Sequence, residues 1–433
     1  MSGPEQRNYE RMKDTYACPC DESRMYDRFL NPVKAEGMWV WFEGDSEPYL
    51  DLVLNYCSVN FGHCYPPILK IVQEAVKEVD QIHSFHSQDK LELSEILASK
   101  VGGNKKAYQV YFNIGGSAAV SDALRLCRFA SGKRFIIAFE GAFHGVSEAA
   151  ASVADKRLIA REQYGVPISD FTLSVSFPSQ HNDVSVEDTL SKIEQLFAEY
   201  DVAGVIIEPI QGAGGFVIPK EQFLPGLSQL CQKHSVNLVV DEIQVGFGRA
   251  GSLFVYQQYG VEHPDVVLLS KSIGGGYFPV SAVIARAELF EKVPSRGTAF
   301  QTTFNNSSFG LRVANRLMQY VEKEQLFDDV LKRGAVFLEK IQFLSQSPYV
   351  NNLRGVGFAI AFDLIDPNSG EPSDLLAKKL MSICLEEHVI LYACGVHFNS
   401  IKIIPPIVIT EREMDVIAER LRLCFDKFHA QIL

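Results

Sequence analysis

The stretch VVDEIQVGFGRAG (residues 239–251), followed by PDVVLLSKSIGGG (264–276), decides how this chain is read. The first part is an apolar run that ends in an acid, Asp241. The second is an apolar run that ends at a lysine, Lys271. Unbroken apolar runs suit parallel strands buried on both faces. In sheets of that kind, ligands sit beyond the carboxyl ends of the strands. Lysine is among the least buried residues, so Lys271 is either an exposed loop residue or a functional one. The run Gly274–Gly276 favours the second reading, because glycine lets backbone approach a ligand closely.

Outward from this stretch, strand-like and helix-like segments alternate. Expected strands are Gln109–Asn113, Arg134–Phe139, Phe171–Phe177, Val202–Glu208, Asn237–Asp241, Asp265–Ser270 and Val280–Ala285. Helical patterns fall at Ser117–Phe129, Val186–Tyr200 and Leu224–His234. The pattern predicts an α/β fold, with a large three-layer domain over residues 67–309. Beyond it, a helical pattern runs from Ser308 to Leu344. A strand-like GVGFAIAFDLI (355–365), a helix Asp374–Glu387, a strand IKIIPPIVI (401–409) and a closing helix Glu411–Phe428 follow. Residues 310–433 thus read as a small α+β domain. Residues 1–66 are assigned to it because MWVWFEGDSEPYLDLV (38–53) reads as a hairpin expected to pack with the C-terminal part.

Bulk properties exclude several classes. The 433-residue chain is 47% hydrophobic and 22% charged, as in ordinary globular proteins. A net charge of −12 argues against nucleic acid or an anionic membrane as partner. No apolar stretch is long enough to span a bilayer. The polar start MSGPEQRNYERMKD lacks a signal core, so a cytoplasmic location is expected. Nine cysteines are scattered, Cys18 and Cys20 forming a lone C-x-C. That spacing suits reduced thiols and neither a disulfide framework nor a metal site.

Two further segments bear on chemistry. FNIGGSAAVSDALRLCR (112–128) reads strand, glycine turn, helix, with Ser117 as N-cap. Such a helix start binds phosphate through backbone N–H groups and the helix dipole. An ordinary capped helix would read the same way, and the pattern matches neither the P-loop nor the dinucleotide fingerprint. FEGAFHGVS (139–147) places Phe143 and His144 after another strand, where an aromatic ring can stack on a flat heterocycle or simply pack in the core. A phosphate cradle, a stacking ring, a buried acid and a lysine at the strand ends of one sheet form the set that pyridoxal 5′-phosphate needs.

At these residues the chain resembles the class III, or omega-type, pyridoxal-phosphate-dependent aminotransferases of fold type I, from about Trp39 to the C-terminus. The resemblance implies a mostly parallel seven-stranded sheet in the large domain, and a homodimer with shared active sites. It implies that Lys271 holds the cofactor as a Schiff base and Asp241 pairs with the pyridinium nitrogen. Gln244 would meet the ring hydroxyl, and Gly116 and Ser117 the phosphate. Phe143 would stack on the ring with His144 beside it. Thr303, in QTTFNNS, would reach the phosphate bound by the partner subunit. Glu208, in EPIQGAGG, would lie near the substrate side. NYCSVNFGH (55–63) matches a pocket-lining stretch, making Tyr56, Cys57 and Ser58 substrate candidates.

The sequence also departs from the family. Ala118 stands where a glutamate is usual, and TFNNSS replaces TFGGNP. In SIKIIPPIV, Lys402 occupies the place of an arginine that clamps a carboxylate; lysine binds a carboxylate as a point charge and not as a fork. With KSIGGGYFP, this lysine looks most similar to the branch acting on 2,4-diaminobutyrate. The function expected is transfer of a terminal amino group from an amino acid or diamine, such as 2,4-diaminobutyrate, to a 2-oxo acid by a ping-pong Schiff-base mechanism. The same motif serves racemases, aminomutases and decarboxylases on this scaffold. A non-catalytic regulator would need a DNA-binding module, and no basic helix-turn-helix pattern is present.

Overall fold

Strands buried on both faces build the centre of the protein. In the computed structural model, which describes residues 30–82, 85–102, 107–159, 170–295 and 300–432, seven of them form one sheet. They are β1 (Tyr108–Asn113), β2 (Phe135–Phe139), β3 (Thr172–Val175), β4 (Val202–Ile207), β5 (Asn237–Asp241), β6 (Val266–Leu269) and β7 (Ser281–Arg286). Their order is β1-β7-β6-β5-β4-β2-β3. Strand β7 runs antiparallel to both its neighbours, and the pairs from β6 to β3 are parallel. All seven expected strands are present; Asn237–Asp241 is unchanged, and the ends of the others move by at most two residues.

The side-chain period of two divides each strand between two cores. Leu238 and Val240 of β5, with Val267 and Leu269 of β6, face a cluster shared with the helix Phe223–His234. Val239, Val266 and Leu268 face a second cluster built on α1 (Gly116–Ser131). With both faces apolar, a polar side chain on these strands finds room only at the ends.

The C-terminal expectations change in three places. The helical pattern from Ser308 to Leu344 is two helices, Ser308–Lys323 and Val330–Lys340, followed by a 3₁₀ turn at Gln342–Gln346. Gln325 takes a left-handed φ of 52°, and Leu326 N–H closes on Val321 O, ending the first helix without a glycine. GVGFAIAFDLI contains a turn at Gly357, so two strands, Val350–Val356 and Ala359–Leu364, form a hairpin. The last strand stops at Ile403, before Pro405 and Pro406 deprive it of N–H donors. The expected N-terminal hairpin, Trp39–Phe42 with Tyr49–Asp51, is present. Its second strand pairs in parallel with Val389–Ile390, a strand the sequence reading did not anticipate.

Cys18, Cys20 and the start of the 1–66 segment lie outside the described residues. The described cysteines are all free thiols. Among the described residues no cluster could hold a metal, and no helix is long and apolar enough to cross a membrane.

The helix Val330–Lys340 rests directly on the hairpin turn. A Cβ at Gly334 would fall 2.2 Å from the Gly357 carbonyl oxygen. Gly334→Ala is expected to lower the melting temperature by about 3–10 °C, the effect of overpacking against backbone. Scanning calorimetry of the two proteins checks this.

Candidate active site

Asp241 ends β5 and is 3% exposed. Its carboxylate accepts from the Ile243 N–H (3.0 Å) and from Nδ1–H of the buried His144 (2.7 Å). Burial works to lower the His144 pKa. The hydrogen bond and charge of Asp241, helped by Glu208, outweigh it and leave the imidazole above its ordinary value. Nε2 of the same ring is buried with no partner among the described residues.

Glu208 follows β4 directly. It accepts from Phe143 N–H (2.9 Å) and Gly212 N–H (2.8 Å). Burial raises its pKa, and the charge of Asp241 adds to the effect. Lys271 stands just past β6 with a left-handed φ of 51°. Burial lowers the pKa of its ammonium, and the charge of Lys402 pushes the same way against Cys57, Asp241 and Glu208.

The helix start differs from the expectation. Ser117 is not the N-cap; Gly115 occupies that position with φ 75° and offers no side chain. The Ser117 hydroxyl instead accepts from Val146 N–H (3.1 Å), joining this turn to the one after β2. Close contact leaves no room for larger residues here. A Cβ at Gly145 would fall 2.1 Å from Ser117 Oγ, and one at Gly116 3.1 Å from Ile243. The first N–H groups of α1 therefore lack a side-chain acceptor, the arrangement that receives an anion.

Gly116, Ser117, Phe143, His144, Glu208, Asp241, Gln244 and Lys271 line one cavity of about 150 Å³, together with Gly145 and Ile243. Eight residues singled out from sequence thus converge. Five others do not line it; of these, Cys57 is buried and its carbonyl accepts from the Ser272 hydroxyl. Thr303 is exposed and borders a separate cavity with Gln81, Ile82 and Phe304. Tyr56 touches the site through its backbone, its carbonyl accepting from Gln244 Nε2 (3.3 Å), while its ring packs edge-on against Tyr392. The Ser58 hydroxyl accepts from Asn55 Nδ2 (2.7 Å). Lys402 is 2% exposed on its strand, with Nζ 4.8 Å from the Phe216 ring centre and in contact with the Cys394 thiol. Among the described residues no carboxylate pairs with it.

The family model for aminotransferase class-III matches residues 22–425. The chain is 29% identical to the 5-aminovalerate aminotransferase of Pseudomonas aeruginosa, over 92% of this chain and 94% of that protein. It is 29% identical to the 4-aminobutyrate aminotransferase of Escherichia coli, with the same coverage. It is 31% identical to the acetylornithine aminotransferase of Methanosarcina mazei, over 86% of each. Among solved structures, an omega-transaminase of Thermomicrobium roseum superposes with a TM-score of 0.86 at 25% identity, covering 99% of this chain and all of that one.

One buried acid beside the site was missed in the sequence. Glu242 is fully buried next to Asp241, accepting from Tyr256 N–H (2.7 Å) through Oε1, while Oε2 has no partner among the described residues. Burial pushes its pKa up to about 8. A carboxyl whose pKa is higher folded than unfolded stabilises most below the unfolded value, and that contribution is lost as pH rises through the folded value. Melting temperature should therefore fall between about pH 5 and 8 by an amount that Glu242→Gln removes. Parallel thermal melts of both proteins across that range check the difference in slope.

Proposed function

Because the chain belongs to the class-III aminotransferase family and is a pyridoxal-phosphate-dependent transaminase, we propose that it moves the terminal amino group of an amino carboxylate to a 2-oxo acid. The observation that carries this reading is the convergence of Lys271, Asp241, Glu208 and the uncapped start of α1 on one cavity. The residues present fit the cofactor. The glycine-lined cradle around Ser117 would be filled by any Cβ at Gly145, and a buried carboxylate and a lysine of lowered pKa face the same space.

When bound, the cofactor supplies an electron sink for the carbon that carries the amine. Asp241, fixed by His144 and Ile243 N–H, would hold the proton on its ring nitrogen. The backbone N–H groups at Gly116 and Ser117 would take its phosphate, Gln244 its ring hydroxyl and Phe143 its ring face. Lys271 would hold the cofactor and would take and return a proton at Nζ; burial suits it to that role by lowering its pKa. Glu208 would lie on the substrate side.

Lys402 supports the choice of donor. A buried positive charge without a counter-charge is costly, so this position favours an anion brought by the substrate. The 5-aminovalerate and 4-aminobutyrate acted on by the two relatives named above carry a carboxylate far from the amine. Tyr56 and Ser58 would border the chain between the two ends. We place Thr303 at the partner's phosphate in a homodimer, which agrees with its exposure away from its own cavity. A cytoplasmic location agrees with the free thiols.

The test is a half-reaction. Cofactor-loaded protein is mixed with single amines and no oxo acid, and the visible absorbance is followed. The panel holds 5-aminovalerate, 4-aminobutyrate, ornithine, 2,4-diaminobutyrate and alanine. Stable bleaching by the terminal amines is expected. Persistence of the band with loss of optical purity or release of CO₂ would defeat the proposal. Lys271→Ala should lose the visible lysine-bound band and about 10²–10⁴-fold or more in turnover.

Lys402→Met is expected to raise KM for an amino carboxylate about thirtyfold, the effect of removing one partner of a buried charge pair. KM for an amine without a carboxylate should stay near the wild-type value. Equal effects on both donors would rule out the carboxylate role.

A further inference from the structure

Leu54, Asn55, Tyr56 and Cys57 form four consecutive left-handed backbone conformations, with φ of 45°, 45°, 56° and 71°. L-residues enter this region singly and seldom in runs, and none of the four is glycine. Strain of this kind persists only where the surroundings over-determine it.

Three anchors surround the turn. On its N-terminal side, Asp51 Oδ1 accepts from Val53 N–H (2.8 Å) and Leu54 N–H (3.1 Å), while Oδ2 is held by His63 Nε2 (2.8 Å). On the cofactor side, Gln244 donates to Tyr56 O. The third anchor is Ser272, the residue after Lys271. Its hydroxyl donates to Cys57 O (2.5 Å) and accepts from Asn60 N–H (3.3 Å), so it holds the C-terminal end of the turn and the residues that follow it. Ser272 is buried, and its neighbour Lys271 shares the left-handed conformation.

The turn matters to the substrate because of where it presents Tyr56. That ring meets Tyr392 edge-on at 4.9 Å, and Tyr392, on the strand Tyr392–Cys394 of a small C-terminal sheet, pairs antiparallel with Lys402 on the strand Ser400–Ile403. We propose that Ser272 is a positioning residue, whose hydroxyl locks the left-handed turn Leu54–Cys57 onto the lysine segment and so sets the distance between the amine-accepting end of the site and the Tyr56–Tyr392 wall beside Lys402. Donor preference is then a property of this clamp. The inference rests on the roles of Lys271 and Lys402 given above.

Ser272→Ala, Ser272→Thr and wild-type holoenzyme are compared for visible absorbance, melting temperature, and kcat and KM with 5-aminovalerate and 4-aminobutyrate. With Ser272→Ala the visible band is retained, KM rises about tenfold with little change in kcat, and the ratio of KM values for the two donors shifts. Ser272→Thr keeps the hydroxyl and restores the wild-type KM. Deuterium uptake at amides 54–58 increases in the alanine variant alone. If that variant does not fold, Ser272→Cys, similar in size but a weak donor, takes its place with the same readouts. A lower melting temperature with unchanged KM overturns the proposal, because the hydroxyl would then serve stability alone. Loss of the visible band also overturns it, since Ser272 would then act on cofactor binding. Failure of the wild-type protein to bleach with any amine strikes the proposed function instead, and so is distinguishable.

Discussion

Burial of the central strands on both faces is the constraint on which the site depends. Inside β4, β5 and β6 every side chain enters one of two apolar cores. An unpaired polar group there would cost several kcal/mol. Charged residues are confined to the strand ends, and Asp241, Glu208 and Lys271 all stand there. Asp241 is still 3% exposed, so its carboxylate must be compensated locally. The His144 ring and the Ile243 N–H supply that compensation, and in doing so they fix the direction of the carboxylate.

The balance of charge in the site follows from the same burial. Two carboxylates and a histidine share a small space, and their effects on one another oppose desolvation. Asp241 raises the His144 pKa against burial, and His144 restrains the rise at Glu208. Lys271 has lost solvent and has Lys402 nearby, so its ammonium is easier to deprotonate than an exposed one. Among the described residues that line the cavity, the basic side chains are Lys271 and His144. On the proposed reading, binding the anionic end of the cofactor falls to the helix start, which is open because Gly115 provides no cap.

The sheet was legible in the sequence because its strands are long apolar runs bounded by polar residues, and the site acids and lysine were legible because they interrupt those runs at the ends. Other features left weaker marks. Ser117 has the chemistry of an N-cap, but cap position depends on the φ of the residue before the helix, and Gly115 takes it. The break at Gln325 contains neither glycine nor proline. Glu242 sits beside Asp241 in the deciding stretch, yet only the fold shows that one acid opens onto the cavity while the other is sealed against Tyr256. Lys402 was read from its place before Pro405, and its isolation from carboxylates became visible only in three dimensions. The left-handed turn at Leu54–Cys57 left little mark, since of the residues in LNYC only asparagine favours that backbone.

That turn connects with the deciding stretch through Arg249. The guanidinium is fully buried and burial lowers its pKa, yet its partners are neutral oxygens: Asn60 Oδ1, Phe358 O and Pro405 O. Asn60 follows the strained turn, Phe358 sits in the hairpin turn, and Pro405 follows the strand that carries Lys402. One buried cation thus ties together three pieces of chain far apart in sequence. Each left-handed residue costs about 1–2 kcal/mol, and a hydrogen bond to a charged donor contributes about 1.5–3 kcal/mol. The bonds of Arg249, Asp51 and Ser272 are together of the size needed to hold four such residues. A looser scaffold would let the turn relax to ordinary backbone, and Tyr56 would leave the wall beside Lys402. The rigidity around Arg249 therefore belongs to the proposed clamp, although Arg249 does not line the cavity.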